Sequence, residues 1–469
     1  MEHTLPGRSP SLHQEEQPVS NGPASTVWQD AVVTASGIKT KMVKRANPSD
    51  STSRSKKARE AREKKDSRKT DKKGQRNAET YPPLRPRHRP PPVKETDYNE
   101  LPGPPLMTPI DESAEATQLF RFSADYLRNR RSFWYMPCVP APLMPSIVYS
   151  YTEVPPYGPR INWHDMSPAV LFDKDGLTVT TDRGFRMARA NVMLREGSWY
   201  FECKVLRGGG DQGGHVRVGL ARREASQEGP VGSDGYSYGL RDQEGQKVHL
   251  SRPRPFMSES FGTGDVIGIH VHLPTLASQY PDKKVPHPFR HDRYPIRWKG
   301  QLAFELPDYA VSKAMDNLMD PVLNGKKAAE PPTLPGSFIK VYKNGKPMGT
   351  AFEDLYSFMP PNSTQNNKEE SIDDGMLGYY PAVSVFRKGM IKFNFGPNFD
   401  ASPEDGLLQD KKANVRAVHE RFDEQIAEDV TWDIVDEVIY SEYDATEEAA
   451  TGNAQANLKT KGIKTLLDD

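Results

Sequence analysis

Two stretches of alternating apolar residues constrain the fold of this 469-residue chain more than any other feature. In SWYFECKVL, residues 198–206, Trp199, Phe201, Cys203 and Val205 alternate with other side chains, and GDVIGIHVHL, residues 264–273, repeats the pattern. Side chains two residues apart share one face of a strand, so each stretch predicts a strand with a buried face. Two such strands need a second apolar sheet to cover them. The predicted fold is therefore all-β, an antiparallel β-sandwich.

Short strands separated by turn residues continue on both sides of these two stretches, and they place the sandwich at about 161–402. Asn344-Gly345 is a strong tight-turn signal within it. Two long insertions interrupt the strand pattern, at about 275–335 and 360–375.

Two short helices are also predicted, one in the first insertion at Tyr309–Met319 and one at residues 112–131, ESAEATQLFRFSADYLRNRR. The second lies in a segment, 106–160, that is rich in aromatic residues and prolines. The prolines argue against regular secondary structure around FWYMPCVP, and the aromatic residues argue against full exposure to water. This segment is expected to lie across the sandwich as an extended arm.

Residues 1–105 have the composition of a disordered region that is basic and proline-rich. The whole chain has no formal net charge, but residues 54–76 hold twelve Lys or Arg against four Asp or Glu. Such a cluster favours a nuclear import signal or a nucleic-acid-binding arm, and the alternative is a solvated tail. The candidate contact residues are Lys56, Lys57, Arg59, Lys64, Lys65, Arg68, Lys69, Lys72 and Lys73.

Signals for catalysis, metal binding or membrane insertion are weak. Cys138 and Cys203 are the two cysteines of the chain, which argues against a disulfide framework or a cysteine-rich zinc module and fits a reducing compartment. His270 and His272 share a strand face without a third metal ligand at a defined distance, so a solvated face is the better interpretation. There is no nucleophile elbow, dinucleotide fingerprint or apolar run long enough to span a membrane. The prediction is a binding module without cofactor or metal.

The apolar period changes after residue 405 and predicts an amphipathic helix at 415–441, followed by a disordered tail at 445–469. The helix either docks on a partner or folds back on the sandwich. The apolar stripe that would bind a partner consists of Phe422, Ile426, Val430, Ile434, Val435 and Val438.

Two arginines are candidates for binding an anion. Arg217 lies on the opposite strand face from Val216 and Val218, and Arg241 ends the run YSYGLR. If their strands are neighbours, the two guanidinium groups would form a paired site for carboxylates or phosphates. A solvated arginine is the plain alternative at each position.

The order SWYFECKVL, VRVGLA, GDVIGIHVHL, IKVYKNGKPMGTAFEDL, GYYPAVSVF and MIKFNFGPNF resembles a SPRY domain. More specifically, the chain from about Leu177 to Phe399 and the C-terminal helix resemble the SPRY subunit of COMPASS and trithorax-type histone methyltransferase complexes. This subunit is called absent, small or homeotic discs two in animals and Bre-two in yeast. The proline-rich arm and the long insertion after GDVIG suggest a fungal member.

The resemblance implies a pocket for an acidic, partly apolar segment of a WD-repeat subunit. By comparison with the family's motifs, its residues would be Arg217, Arg241, Phe185, Pro230, Ser233 and Tyr236. Ser233 replaces a tyrosine of the family, Phe185 lacks a hydroxyl group, and Asp242 or Gln243 replaces a basic residue. A less basic pocket is therefore expected.

The resemblance also implies a function. The helix would dock on a small helical dimer of the dumpy-thirty type, and the chain would be a nuclear, non-catalytic scaffold for a SET-domain enzyme that methylates lysine 4 of histone H3. The basic arm is a candidate contact for nucleosomal DNA. The alternative from another class is a SPRY peptide-binding adaptor of a ubiquitin ligase, although neither a cullin-binding box nor a RING is visible. A hydrolase hidden in the insertions is a weaker third interpretation.

Overall fold

The computed structural model describes residues 157–279, 330–358 and 376–431 without interruption, parts of 294–319, and shorter stretches within 94–150 and 434–445. These residues belong to one compact unit, Arg87–Asp469. The basic cluster at 54–76, the rest of the N-terminal region up to residue 93, the second insertion at 360–375 and the tail beyond 445 lie outside the described residues.

The strands, in chain order, are β1 (Met107–Pro109), β2 (Phe120–Phe122), β3 (Phe133–Pro137), β4 (Val139–Pro140), β5 (Tyr149–Ser150), β6 (Ile161–Met166), β7 (Leu171–Phe172), β8 (Thr178–Thr180), β9 (Arg186–Ala190), β10 (Gly197–Arg207), β11 (His215–Ala221), β12 (Ser237–Arg241), β13 (Lys247–His249), β14 (Arg252–Arg254), β15 (Val266–Leu273), β16 (Tyr294–Trp298), β17 (Gln301–Pro307), β18 (Phe338–Lys343), β19 (Lys346–Glu353), β20 (Tyr380–Phe386), β21 (Met390–Asn394) and β22 (Val415–Ala417). The helices are α1 (Leu276–Gln279), α2 (Lys313–Met319) and α3, which includes 418–431. Single-turn 3₁₀ helices lie at Asp211–Gly213, Gln243–Gly245 and Leu407–Gln409.

Two antiparallel sheets form the sandwich. The first has the order β1-β2-β7-β8-β21-β10-β15-β18-β19, with β22 pairing in parallel to β10. The second has the order β14-β13-β12-β11-β20-β9-β6. The all-β antiparallel sandwich predicted from the alternating stretches is confirmed.

The core lies between the two sheets and is built from the predicted faces. Trp199, Phe201 and Cys203 of β10 are buried together with the alternate residues of β15, and β11 covers them with Val216 and Val218. Burial of one such aliphatic or aromatic side chain contributes roughly 1.5–3 kcal/mol. The inner face of the sandwich is therefore used for stability, and recognition is left to the outer faces and the loops.

The tight turn at Asn344-Gly345 is also present. It joins β18 to β19, and both residues have positive φ, 52° and 84°. This backbone matches the twist of the flanking strands and favours asparagine and glycine.

The predicted helix at 112–131 is wrong at its centre, because Phe120–Phe122 form strand β2. The sequence Phe-Arg-Phe has the two-residue period of a strand, and Phe120 packs against the core while Arg121 is exposed. Strand β2 pairs with β1 and, through Phe172 of β7, with the first sheet.

Regular secondary structure is present around FWYMPCVP, where the prolines argued against it. Phe133–Pro137 forms β3, which pairs with β17 of the first insertion, so this insertion contains a β-hairpin as well as a helix. Tyr135 stacks on Trp298 with the ring centroids 4.4 Å apart and donates a hydrogen bond to Glu305 at 3.1 Å. The strands pair across about 170 residues of sequence, so no local pattern could reveal the pairing.

Candidate partner-binding sites

Arg217 and Arg241 lie side by side on the outer face of the second sheet. Their Cα atoms are partners in the antiparallel register of β11 and β12. The alternation that sends Val216 and Val218 into the core sends Arg217 outward. Directly opposed side chains have Cβ atoms about 5 Å apart. The condition set from the sequence, that the two strands are neighbours, is therefore met.

Arg217 is only partly compensated by its surroundings. Its guanidinium carbon lies 4.8 Å from the centroid of the Phe185 ring, and Nη1 donates to the carbonyl oxygen of Val231 at 3.3 Å. Its Nε is buried and has no hydrogen-bond partner among the described residues. Burial and the neighbouring charge of Arg241 lower the pKa of Arg217 to about 10. A bound carboxylate would supply both an acceptor and a counter-charge.

Arg241 is held by neutral amides. Nη1 donates to Oε1 of Gln246 at 3.2 Å, and Nη2 donates to Oε1 of Gln243. Asp242 points inward, where Oδ2 accepts from the backbone N–H groups of Gly209 at 2.7 Å and Val216 at 2.9 Å. The carboxylate that follows the second arginine is thus a structural group. Of the two residues that follow Arg241, Gln243 is the one whose side chain lies next to its guanidinium group.

A loop that contains Pro230 and Ser233 forms one wall of the arginine pocket. The N–H of Ser233 donates to the carbonyl of Pro230 at 3.0 Å and closes a turn. The carbonyl of Val231 lies so close to Gly239 of β12 that a Cβ atom there would be only 2.6 Å away. Glycine at this position therefore lets the loop lie flat on the sheet beside the arginines.

Two pocket residues were not predicted from the sequence, and both lie on β20. Ser384 is the Cα partner of Arg217, and its hydroxyl oxygen accepts from the N–H of Val231 at 3.1 Å. The ring of Phe386 lies 5.0 Å from that of Phe185. The alternation in YPAVSVF does place these two side chains on the opposite strand face from Val383 and Val385. Their position next to the arginines, however, depends on β20 pairing with β11.

Tyr236 does not contribute to the arginine pocket, which corrects the prediction for this residue. It lies five residues from Arg241, or about 17 Å along an extended strand. Its ring is buried against Met315 of α2, and its hydroxyl oxygen accepts from the N–H of Ser312 at 2.7 Å. Tyr236 thus anchors the first insertion to the sandwich.

A buried ion pair fixes the base of the pocket loop. Asp165 accepts from Nε of Arg189 at 2.9 Å, from Nη2 at 2.5 Å, and from Nε2 of Gln227 at 2.6 Å. Arg189 also donates to the backbone carbonyls of Arg222 and Ala225. Burial alone would raise the pKa of Asp165, but the charge and hydrogen bonds of Arg189 outweigh it and lower the pKa to about 2. The loop is therefore tied to β6 and β9 by a pair that stays ionised in acid.

Replacing Asp165 by Asn is expected to lower the free energy of unfolding by roughly 3 kcal/mol at pH 7, because Arg189 is left as a buried, uncompensated charge. A carboxyl group whose pKa is lower in the folded than in the unfolded protein stabilises the fold at pH values above its unfolded-state pKa. This stabilisation is lost as the pH falls towards the folded-state pKa. The difference from wild type should therefore shrink between about pH 4 and pH 2. Urea unfolding of both proteins at pH 7, 4 and 2.5 measures this difference in unfolding free energy.

The matched control for this prediction is Asp400→Asn, which removes the carboxylate of an exposed pair with Lys204. Exposed pairs contribute about 0–1 kcal/mol. An equal loss for Asp165→Asn at every pH, or a loss no larger than that of the control, would contradict the role given to the buried pair.

The first half of α3 folds onto the sandwich, which corrects the assignment of Phe422 and Ile426 to a partner-binding stripe. Phe422 is buried in the core between the sheets, and Ile426 packs against it. Nε of Arg421 donates to the carbonyl of Met193 at 3.1 Å, and Nε2 of Gln425 donates to the carbonyl of Asn191 at 3.0 Å. The helix begins at residue 418, after strand β22, and not at 415.

The second half of α3 leaves its apolar residues in solvent. Val430, Ile434 and Val438 are 50%, 53% and 55% exposed. Val435 lies outside the described residues. The part of the stripe that is available to a partner is therefore the C-terminal part, whereas the N-terminal part completes the chain's own core.

Within the described residues, no group of three or more His, Cys, Asp or Glu is arranged to hold a metal ion. No helix in that part of the chain is long and apolar enough to cross a membrane. His270 is buried, which corrects the prediction of a solvated face for it, and burial lowers its pKa to about 4.

A sandwich with an exposed cationic pocket and an apolar helical extension has the features of a protein-interaction module, and comparisons with known proteins agree. The family model of the SPRY domain matches residues 198–275. The chain is 50% identical over 356 residues to the Set1 complex component ash2 of Schizosaccharomyces pombe, which covers 76% of this chain and 52% of that protein. It is 38% identical over 441 residues to the COMPASS component cclA of Colletotrichum higginsianum, covering 75% and 77%.

A more distant relative is the COMPASS component BRE2 of Saccharomyces cerevisiae, 25% identical over 469 residues, which cover 70% of this chain and 91% of that protein. The chain thus spans about half the length of the Schizosaccharomyces pombe relative and most of the other two. It belongs to the family of SPRY-domain proteins that includes these Set1-complex and COMPASS components. The resemblance noted from the sequence is confirmed.

Proposed function

We propose that this protein is a non-catalytic scaffold subunit of a nuclear, COMPASS-like complex that methylates lysine 4 of histone H3. The relatives with which it shares a family are named as components of Set1 or COMPASS complexes. The single observation that carries the proposal is the presence of two separate surfaces that the described residues leave without a counter-charge or an apolar cover. These are the paired guanidinium groups of Arg217 and Arg241 and the exposed apolar end of α3.

The arginine pocket binds an acidic, partly apolar segment of a WD-repeat subunit. Two adjacent guanidinium groups present donors in a fork that matches carboxylates. Phe185 and Phe386 beside them offer an apolar surface for a neighbouring side chain of the same segment. The amide of Gln243, which holds Arg241 and is exposed, is exchangeable for a carboxylate of the partner.

The exposed end of α3 binds a small helical dimer of the dumpy-thirty type. A helix that presents Val430, Ile434 and Val438 at four-residue intervals fits a groove between two partner helices. The basic cluster at 54–76 is proposed to contact nucleosomal DNA or an import receptor.

The scaffold acts by positioning. A SET-domain enzyme transfers a methyl group only when its lobes and the substrate lysine are correctly oriented, and fixing that orientation lowers the barrier without any reacting group from the scaffold. Holding a WD-repeat subunit and a helical dimer on a rigid sandwich would restrict the enzyme in this way.

The proposal predicts that adding this chain to a purified SET-domain subunit and its WD-repeat subunits raises the rate of histone H3 lysine 4 methylation about tenfold or more. The chain alone should methylate nothing. The assay measures methyl transfer to recombinant nucleosomes, with heat-denatured chain as the control. Unchanged rates, together with recovery of cullin or RING proteins in an affinity purification, would contradict the scaffold proposal and favour a ubiquitin-ligase adaptor.

A further inference from the structure

A second group of cations lies at the end of the sheet that carries the arginine pocket. Arg387 and Lys388 lie in the turn between β20 and β21, and Arg183 and Arg207 come from two other segments. The N–H of Arg387 donates to the carbonyl of Arg183 at 2.8 Å, and Nη1 of Arg207 donates to the carbonyl of Lys388 at 3.2 Å. Three distant parts of the sequence thus bring four cationic residues to one place, which we call the turn patch.

The charges of the turn patch are not neutralised within the described part of the chain. Arg183, Arg387 and Lys388 are exposed, and none of the four cations has a carboxylate within ion-pair distance there. Asp182 is close in sequence but does not pair with them. Four unpaired like charges repel one another, so an anionic partner would relieve an unfavourable arrangement.

The turn itself is unfavourable for the residues it contains. Arg387 and Lys388 have φ values of 43° and 71°, and the N–H of Gly389 closes the turn on the carbonyl of Phe386 at 2.9 Å. Two consecutive turn residues with positive φ favour Asn-Gly, as the chain uses at 344–345. Two long cationic side chains are therefore present although the backbone conformation of the turn favours other residues. This points to a role for their charge.

The turn patch is connected to the arginine pocket through neighbouring aromatic and cationic side chains. The guanidinium carbon of Arg387 lies 5.1 Å from the ring centroid of Phe386, which lies 5.0 Å from that of Phe185, over which Arg217 sits at 4.8 Å. His215 borders the same rings at 6.2 Å from Phe386. The surface therefore presents, in succession, a cationic group, an aromatic pair and a second cationic group.

We propose that the turn patch is a second anionic subsite for the segment that binds the arginine pocket, so that the partner segment carries carboxylates on both sides of a central apolar residue. This inference rests on the proposed function of the pocket. The apolar residue would contact Phe185 and Phe386, one acidic group would pair with Arg217 and Arg241, and the other would pair with Arg387 and Lys388. The aromatic pair between the cationic groups favours such a peptide over the evenly charged backbone of DNA.

The test uses the full chain with Arg387→Glu and Lys388→Glu together, and calorimetric titration with the full-length WD-repeat subunit at about 50 mM and about 300 mM salt. Affinity should fall roughly 10- to 50-fold at low salt and less at high salt, because screening weakens exposed charges. The matched control is Lys411→Glu with Lys412→Glu, an exposed pair elsewhere that changes the net charge equally. It should change the affinity less than about twofold.

A second variant separates charge from folding. Arg387→Asn with Lys388→Gly gives the turn its preferred residues, so the melting temperature should rise while the affinity falls about fivefold or more. A purely structural role would instead leave binding unchanged or improve it. Unchanged affinity in both turn variants overturns the proposal.

Three further outcomes distinguish the alternatives. If Arg217 and Arg241 are needed for binding and the turn patch is not, the proposed function stands and the second subsite falls. If neither pair is needed, both fall. If the turn variants bind the WD-repeat subunit normally but lose affinity for a short DNA duplex, the turn patch is a nucleic-acid contact and the peptide subsite is rejected.

Discussion

Replacing Arg217 and Arg241 by Glu together is expected to weaken binding of the WD-repeat subunit at least about a hundredfold. Each substitution removes a charge-assisted fork and sets a carboxylate against the carboxylates of the partner, and like charges at an interface cost several kcal/mol. Because the described residues compensate Arg217 only in part, its charge is available for the partner. Isothermal titration calorimetry measures the loss.

The control for the arginine pocket keeps the two positive charges and removes the planar arrangement of donors. Arg217→Lys with Arg241→Lys retains two cations without the planar donors, so affinity should fall by roughly tenfold only. Thermal melting should show that both double variants stay folded, since each arginine lies on the outer face of the sheet and not in the core. Full binding by the Glu variant would remove the pocket from the proposed function.

The difference between what the sequence revealed and what it concealed follows from the range of the interactions. The strands in SWYFECKVL and GDVIGIHVHL were predicted and are observed as β10 and β15, because alternation is a local signal. The pairing of Arg217 with Arg241 could be stated only as a condition, because register depends on the turn and loop between the strands.

The sequence concealed the residues whose role depends on distant pairing. Ser384 lies next to Arg217 because β20 crosses back to β11, a contact between positions far apart in the chain. Tyr236 was misassigned because the comparison with the family's motifs does not show where the first insertion packs. In fact α2, contributed by an insertion, buries its ring. Local sequence context therefore predicted the kind of residue that forms the site but not which residues lie at its edge.

The apolar stripe of α3 shows how one sequence pattern serves two purposes. Residues four apart in an α-helix are displaced by about 40° around the axis, so a stripe with this spacing rotates by roughly 160° from Phe422 to Val438. At Phe422 the stripe faces the sandwich core, and by Ile434 and Val438 it has turned away from it. The pattern alone could not locate this change, because it depends on where the helix leaves the sandwich.

Replacing Ile434 and Val438 by Glu is accordingly expected to release the small helical dimer while leaving the sandwich folded. Each side chain is about half exposed in the isolated chain, so the loss of unfolding free energy should be within about 0.5 kcal/mol. Burial in a partner groove contributes roughly 2 kcal/mol per residue, and a buried carboxylate adds a further cost, so affinity should fall more than about a hundredfold. Calorimetry and co-elution on a sizing column measure the affinity, and urea unfolding measures the stability.

Two comparison variants fix the interpretation of that result. Ile434→Leu with Val438→Leu keeps the apolar surface and should retain binding within a few-fold. Phe422→Ala should instead lower the free energy of unfolding by about 3–5 kcal/mol, because its ring is part of the core of the sandwich. If Ile434→Glu with Val438→Glu still co-elutes with the dimer, the exposed end of α3 is not the docking surface. If that variant unfolds as Phe422→Ala does, the second half of the helix belongs to the chain's own core.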